Sequence, residues 1–301
     1  MGANDAANVF GSAVAARMVK FWTAATLASI FVILGALLEG QEGIETLKGL
    51  TPLTLEQAVI CSIGAAVTVT IMTILALPVS TSQAVVGAIL GIGLMSQELN
   101  TSGLGKVLAC WFGTPVGALV IAVLLYKVMA ALYNGLKINL IQSDSLLRLS
   151  LIAAGSYGAY ALGANNVANV TAVFVGAGQL TLFSALLIGG LSIALGILTF
   201  SRRVMETVGR KLVMLDPFSG LIVLLAEAVT VHIYTVIGVP VSTSQAVIGA
   251  VLGVGIVKGI NTVRRRTLAN ILVGWFLTPV VGGFITICIE FALHLKYVPG
   301  N

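Results

Sequence analysis

The chain has 301 residues, of which 58% are hydrophobic and only 9% charged, and its mean hydropathy is +1.06. A soluble domain carries roughly 25% charged residues. A soluble enzyme, a disordered segment and, despite a net charge of +5, a nucleic-acid-binding protein are therefore excluded, which leaves an integral membrane protein.

A helix needs about 20 apolar residues to cross the hydrocarbon core of a bilayer. In chain order, the sequence predicts a short apolar helix over 6–16, spans over 21–38 and 57–77, a short helix over 84–95 and a span over 107–133. A span over 146–162 follows, then a short helix over 167–177, spans over 180–200 and 218–239, a short helix over 246–257 and a last span over 268–293. None shows the alternation of a membrane barrel, so the expected class is an all-α polytopic membrane protein. Each short piece adjoins a box of small polar residues, which predicts broken helices, and the 34 glycines suit close helix packing in lipid. Cys61, Cys110 and Cys288 are isolated in apolar runs, and His232 and His294 are too few and too far apart for a metal site.

Three boxes recur in the same order. GANDAANV at 2–9 returns as GANNVANV at 163–170, with six of eight residues identical. PVSTSQAVVGAILGIG at 78–93 returns as PVSTSQAVIGAVLGVG at 240–255, with thirteen of sixteen identical, and WFGTPV at 111–116 returns as WFLTPV at 275–280. The offsets are 161, 162 and 164, which divides the chain into repeats over 1–140 and 141–301. The second box has a span before it and the first has only Met1, so the symmetry predicts about 17 further residues upstream.

Basic residues in short loops mark the cytoplasmic side. Loop 39–56 has Lys48 against Glu39, Glu42, Glu45 and Glu56, while its counterpart 201–216 has Arg202, Arg203, Arg210 and Lys211. Loop 96–106 has only Lys106, while 258–267 has Lys258, Arg264, Arg265 and Arg266. Corresponding loops should therefore lie on opposite faces, which makes the repeat one of inverted topology. The basic loops, with Arg17, Lys20, Lys137 and Arg148, are expected on the cytoplasmic side of the cell membrane and the C-terminus on the extracellular side. The same counts predict that 57–95 and 218–257 each enter and leave on one face, as re-entrant hairpins. Pro78 and Pro240 should end the incoming helix, and the Ser/Thr cluster should cap the outgoing one.

An ionisable group within the membrane marks function by default, which singles out Asp5. Asn4 and Asn8 are four residues apart and Asp5 and Asn8 three, so they can share one helix face. A carboxylate with amide oxygens suits a small hard cation. Asn165, Asn166 and Asn169 form the repeated box, with Asn166 in place of the acid, so the paired site carries one formal charge. The hydroxyls of Ser80, Thr81, Ser82, Ser242, Thr243 and Ser244 sit at predicted helix starts, where free N–H groups and the dipole attract anions. Gln83 and Gln245 adjoin them. Inverted repeats, broken helices and helix ends at the midplane are the features of a secondary transporter, and the chain has no glycine–lysine nucleotide-binding motif.

With these motifs the chain resembles the inorganic phosphate transporter (PiT) family, whose paired signatures appear as GANDAANV with GANNVANV and as two PVSTSQ elements. The resemblance covers essentially the whole chain. It implies a sodium- or proton-coupled phosphate symporter that acts as a homodimer in the bilayer. The resemblance would put Asn4, Asp5, Asn8, Asn165, Asn166 and Asn169 on the side of the coupling ion, sodium, and Ser80, Thr81, Ser242 and Thr243 on phosphate. From the residues themselves, Gln83 and Gln245 are adjacent amides that could serve ion or anion and are expected among the sodium ligands, while Ser82, Ser244 and Asp5, as acceptor from a phosphate OH, are expected to meet phosphate. Asn166 stands where many relatives have Asp, which leaves the ion stoichiometry open. The alternatives are proton coupling, another tetrahedral oxyanion such as sulfate and, more remotely, an anion channel. No Ser/His or Asp/Asp constellation supports an enzyme, and no other cofactor is expected.

Overall fold

The computed structural model describes residues 1–74, 79–136, 139–212, 216–259 and 265–297. Pro78, Lys137 and Arg264, and with them the expected helix stop at Pro78, lie outside the described residues. Those described form eleven helices and no strand: α1 (Gly2–Ala15), α2 (Phe21–Glu39), α3 (Gln41–Lys48), α4 (Leu55–Ile74), α5 (Thr81–Ser96), α6 (Thr101–Gly135), α7 (Leu140–Gly176), α8 (Leu182–Leu212), α9 (Pro217–Val236), α10 (Thr243–Lys258) and α11 (Arg265–Tyr297). Six of them, α2, α4, α6, α8, α9 and α11, are long and apolar enough to cross a membrane. Large rings such as Phe112, Phe183, Phe276 and Phe284 face outward, each more than 60% exposed, as a lipid-facing surface allows and a water-facing one does not.

The expected break at the GANN boxes is corrected. The spans over 146–162 and 167–177 are a single helix, because α7 runs unbroken for 37 residues through the second GANN box. First-box residues likewise lie inside α1. The breaks occur at the two PVSTSQ boxes instead. There α4 ends at Ile74 and α5 begins at Thr81, and α9 ends at Val236 and α10 begins at Thr243. Both broken segments fold back as hairpins. At the base of the first, the Asn100 side chain donates to Gly49 O at 3.1 Å. At the base of the second, Lys258 at the end of α10 meets Asp216 just before α9.

Pro240 does not itself stop α9. The helix ends at Val236, four residues earlier; Gly238 takes φ +82°, its N–H donates to Thr235 O at 2.8 Å and the Val239 N–H donates to Tyr234 O at 3.0 Å. Those two bonds are a Schellman ending, which calls for a left-handed residue at this position. The outgoing helices start as expected, with the Ser80 and Ser242 hydroxyls each accepting from the N–H three residues on, Gln83 and Gln245, at 3.3 Å.

The two halves exchange packing partners. A Cβ at Gly163 on α7 would fall 2.0 Å from Val32 O on α2, and one at Gly2 on α1 would fall 2.2 Å from Ile193 O on α8. Likewise Gly87 on α5 abuts the Pro279 carbonyl of α11, while Gly249 on α10 abuts the Pro115 carbonyl of α6. In every case the second contact is the first with the halves interchanged. The third box, WFGTPV or WFLTPV, thus serves as the seat for the re-entrant helices. The counterparts α2 and α8 also touch each other and run antiparallel, since Ser29 meets Ala194, Ile33 and Ala36 meet Gly190, and Gly40 meets Leu186.

Candidate functional site

The four polar boxes meet where α1, α7 and the starts of α5 and α10 converge. Each helix start reaches across to the other. The Ser82 hydroxyl donates to Val241 O at 3.0 Å, and the Ser244 hydroxyl donates to Val79 O at 3.2 Å. Two helix N-termini, each with first-turn N–H groups that lack an intrahelical acceptor, are thereby held side by side.

Asp5 is the hub. It is 1% exposed and accepts from Asn166 Nδ2 at 2.7 Å, from Thr81 Oγ1 at 3.2 Å and from Asn4 Nδ2 at 3.1 Å. Its bond to Asn166 joins the two equivalent positions of the repeat. Asn169 donates to Ser82 Oγ at 2.9 Å and to Asn166 Oδ1 at 3.1 Å, and Asn8 donates to Thr243 Oγ1 at 3.0 Å. Asn4 and Asn165 each donate to the next side chain, Asp5 at 3.1 Å and Asn166 at 2.8 Å, and Asn165 also bonds both Val241 N and Val241 O at 2.9 Å, fixing the second box. Asn4, Asp5, Asn8, Thr81, Ser82, Asn165, Asn166, Asn169, Thr243 and Ser244 bond within or across these boxes, while Ser80 and Ser242 cap the two helix starts, with Gln83 and Gln245 in their first turns.

Buried polar atoms are almost always hydrogen-bonded. Three atoms of the cluster are buried with no hydrogen-bond partner, Gln83 Oε1, Asn169 Oδ1 and Gln245 Oε1, and all three are acceptors. An oxygen-rich pocket with one carboxylate and spare amide oxygens fits a hard monovalent cation. The paired helix starts and hydroxyls beside it fit an oxyanion. Among the described residues the cluster contains no Lys or Arg, so a cation is the available counter-charge. A cleft of about 370 Å³ reaches the cluster at Asn169, lined by Met1, Cys61, Ala65, Val69 and Val173 among others.

Two features escaped the sequence reading. Glu227 on α9 is 2% exposed, and its Oε2 has no hydrogen-bond partner; the visible signal was a lone acid within the apolar run 218–239. His232, set aside as isolated, joins three helices, since its Nδ1 meets the Tyr157 hydroxyl at 2.7 Å and its Nε2 meets Glu39 Oε2 at 2.6 Å.

A profile of the phosphate transporter family matches residues 1–145 and again 139–286. The chain is 32% identical over 288 residues to the "Putative phosphate permease" of Methanocaldococcus jannaschii, covering 95% of this chain and 91% of that one. It is 30% identical over 299 residues to a sulfate permease of Bacillus subtilis, covering 97% and 83%. The solved structure of "The sodium-dependent phosphate transporter" overlays with a TM-score of 0.84 at 24% identity, covering 98% of this chain and 95% of that one, which shows a shared fold. The matching family is one of transporters and not of enzymes, and this chain belongs to it: the phosphate transporter family.

Proposed function

We propose that this chain imports inorganic phosphate by symport with sodium. The observation that carries this reading is the contact between Asp5 and Thr81, which sets an acidic, oxygen-lined cation pocket directly against a helix start suited to an oxyanion. A cation held there neutralises the carboxylate and attracts the anion, so each ligand should tighten the other by the same factor. In this reading, Asn4, Asn8, Asn165, Asn166, Asn169, Gln83 and Gln245 complete the sodium ligands with Asp5, and the six box hydroxyls line the anion. The antiparallel run of α2 and α8 and the exchanged contacts support repeats of inverted topology over 1–140 and 141–301.

Radiolabelled phosphate uptake into proteoliposomes, with and without a sodium gradient and with sulfate as competitor, tests the proposal. Uptake should saturate, show counterflow and rise with inward sodium. Uptake that ignored sodium and followed a pH gradient would replace sodium by protons. The 30% identity to a sulfate permease over nearly the whole chain favours one second reading, sulfate as the cargo. Sulfate outcompeting phosphate in the same assay would establish it.

A further inference from the structure

We propose that Glu227 is a second cation-carrying group of the transport site, which loads one monovalent cation beside the one at Asp5. The inference rests on the transport reading above. Glu227 lies midway along α9 (Pro217–Val236), within a segment apolar enough to span the membrane. Its neighbours on α9, Leu224 and Ala228, close with Val9 of α1 around Gly158 of α7, so it enters the junction of these three helices. Asp5 stands one turn before Val9 on the same helix, α1.

A carboxyl with 2% exposure and an oxygen without a partner is costly to keep inside a membrane protein unless a positive charge visits it. The repeat sharpens this point. The position equivalent to Asp5 is the neutral Asn166, and the position equivalent to Glu227 is Ala65. Each half therefore contributes one acid, but at non-equivalent places, and the empty centre carries two formal negative charges. Phosphate brings at least one more. Two monovalent cations neutralise both acids before the anion crosses the low-dielectric interior, whereas one leaves a bare carboxylate beside it. Sodium and a proton share this chemistry.

The test is the number of cations carried per phosphate, read in proteoliposomes as the sodium or pH gradient that brings net phosphate flux to zero. Wild type should carry two and Glu227→Gln one, since Gln keeps the shape and stands in for the neutralised carboxyl. If the sodium contribution falls in the variant, Glu227 carries sodium. If the pH contribution falls, it carries a proton. Either result supports the proposal. Where the variant binds phosphate but does not turn over, cations taken up per phosphate bound in detergent, by radiolabelled sodium and by pH electrode, should likewise fall from two to one. A wild-type count of one, equal counts in the two proteins, or a folded Glu227→Gln that binds no phosphate would overturn it. Wild type that moves no phosphate under either gradient would instead overturn the transport reading itself.

Discussion

Gly163→Ala places one methyl group into the closest helix crossing of the protein's centre and should disable transport through geometry alone. The added Cβ would sit 2.0 Å from Val32 O and 2.7 Å from Val32 C, whereas contacts under 3.0 Å are essentially never seen. The neighbours are backbone atoms, so no side chain can rotate away, and α7 must leave α2 by at least 3.0 less 2.0, about 1 Å. Overpacking of this kind costs about 1–3 kcal/mol. Asn166 lies one turn further along α7 and bonds Asp5 at 2.7 Å; a shift of about 1 Å lengthens that bond past hydrogen-bonding distance. A misplacement of about 1 Å at a working site can cost on the order of 10²-fold in rate. We expect a melting temperature in detergent lowered by about 5 °C and phosphate uptake reduced by about 10²-fold. Gly35 faces the Tyr160 carbonyl across the same crossing, so Gly35→Ala added to Gly163→Ala should cost much less than it does alone. A Gly163→Ala protein with wild-type melting and wild-type uptake would refute the reasoning.

Asp5→Asn should leave the protein at least as stable as wild type, because it removes a buried charge, yet sodium affinity should fall by about 10³-fold. That figure corresponds to the roughly 4 kcal/mol between unit charges about 4 Å apart at an effective dielectric of 20; radiolabelled sodium binding reads it, and undiminished affinity would exclude Asp5 as the cation's partner. Ser82→Ala and Ser244→Ala each remove one of the two bonds that join the helix starts. Their effects on phosphate affinity should be non-additive by isothermal titration, and strict additivity would mean that the two starts serve separate sites. Asp216 caps α9 through Ser219 N at 2.9 Å. Burial alone would raise its carboxyl, but Lys258 and the two bonds from Ser219 outweigh this and hold it below its ordinary value. A lowered native pKa contributes stability that is present above the unfolded value of 3.8 and is lost as pH falls below it. Asp216→Ala should therefore cost about 1 kcal/mol at pH 7, chiefly as a lost cap, and melting curves of variant and wild type should draw together towards pH 3.

The sequence made some of this legible because the signals were local. Ser80 and Ser242 announce helix starts by residue type, and the hydroxyls do accept the N3 N–H bonds. The hairpins followed from loop charge, and Lys258 against Asp216 bears out the second. The GANN box misled, since three asparagines within a span suggest an interrupted backbone. In α7 their amides bond one another, Asp5, Ser82 and Val241, so the side chains find partners without any break in the helix. The stop at Gly238 in place of Pro240 depended on a left-handed backbone angle that residue type alone does not fix. Glu227 was passed over because hydropathy averages a window, and a single acid among Leu, Ala and Val hardly lowers it. The short helix α3, within a loop read only for charge, was missed for the opposite reason, being too brief to leave a periodic signal.

The interchange of packing partners has a consequence for how the protein comes into being. α1 finds its main neighbour in α8, and α5 finds its seat in α11, so most of the first half's inward surfaces have nothing to close against until the second half has been made. The arrangement is that of a domain-swapped pair whose two members have been joined into one polypeptide. Such an assembly cannot mature from its first residue to its last; early helices must wait in the bilayer, loosely held, for partners about 180 residues downstream. Either half expressed alone should therefore be a substrate for quality control, and the two halves co-expressed as separate chains should recover each other as two interlocking pieces do.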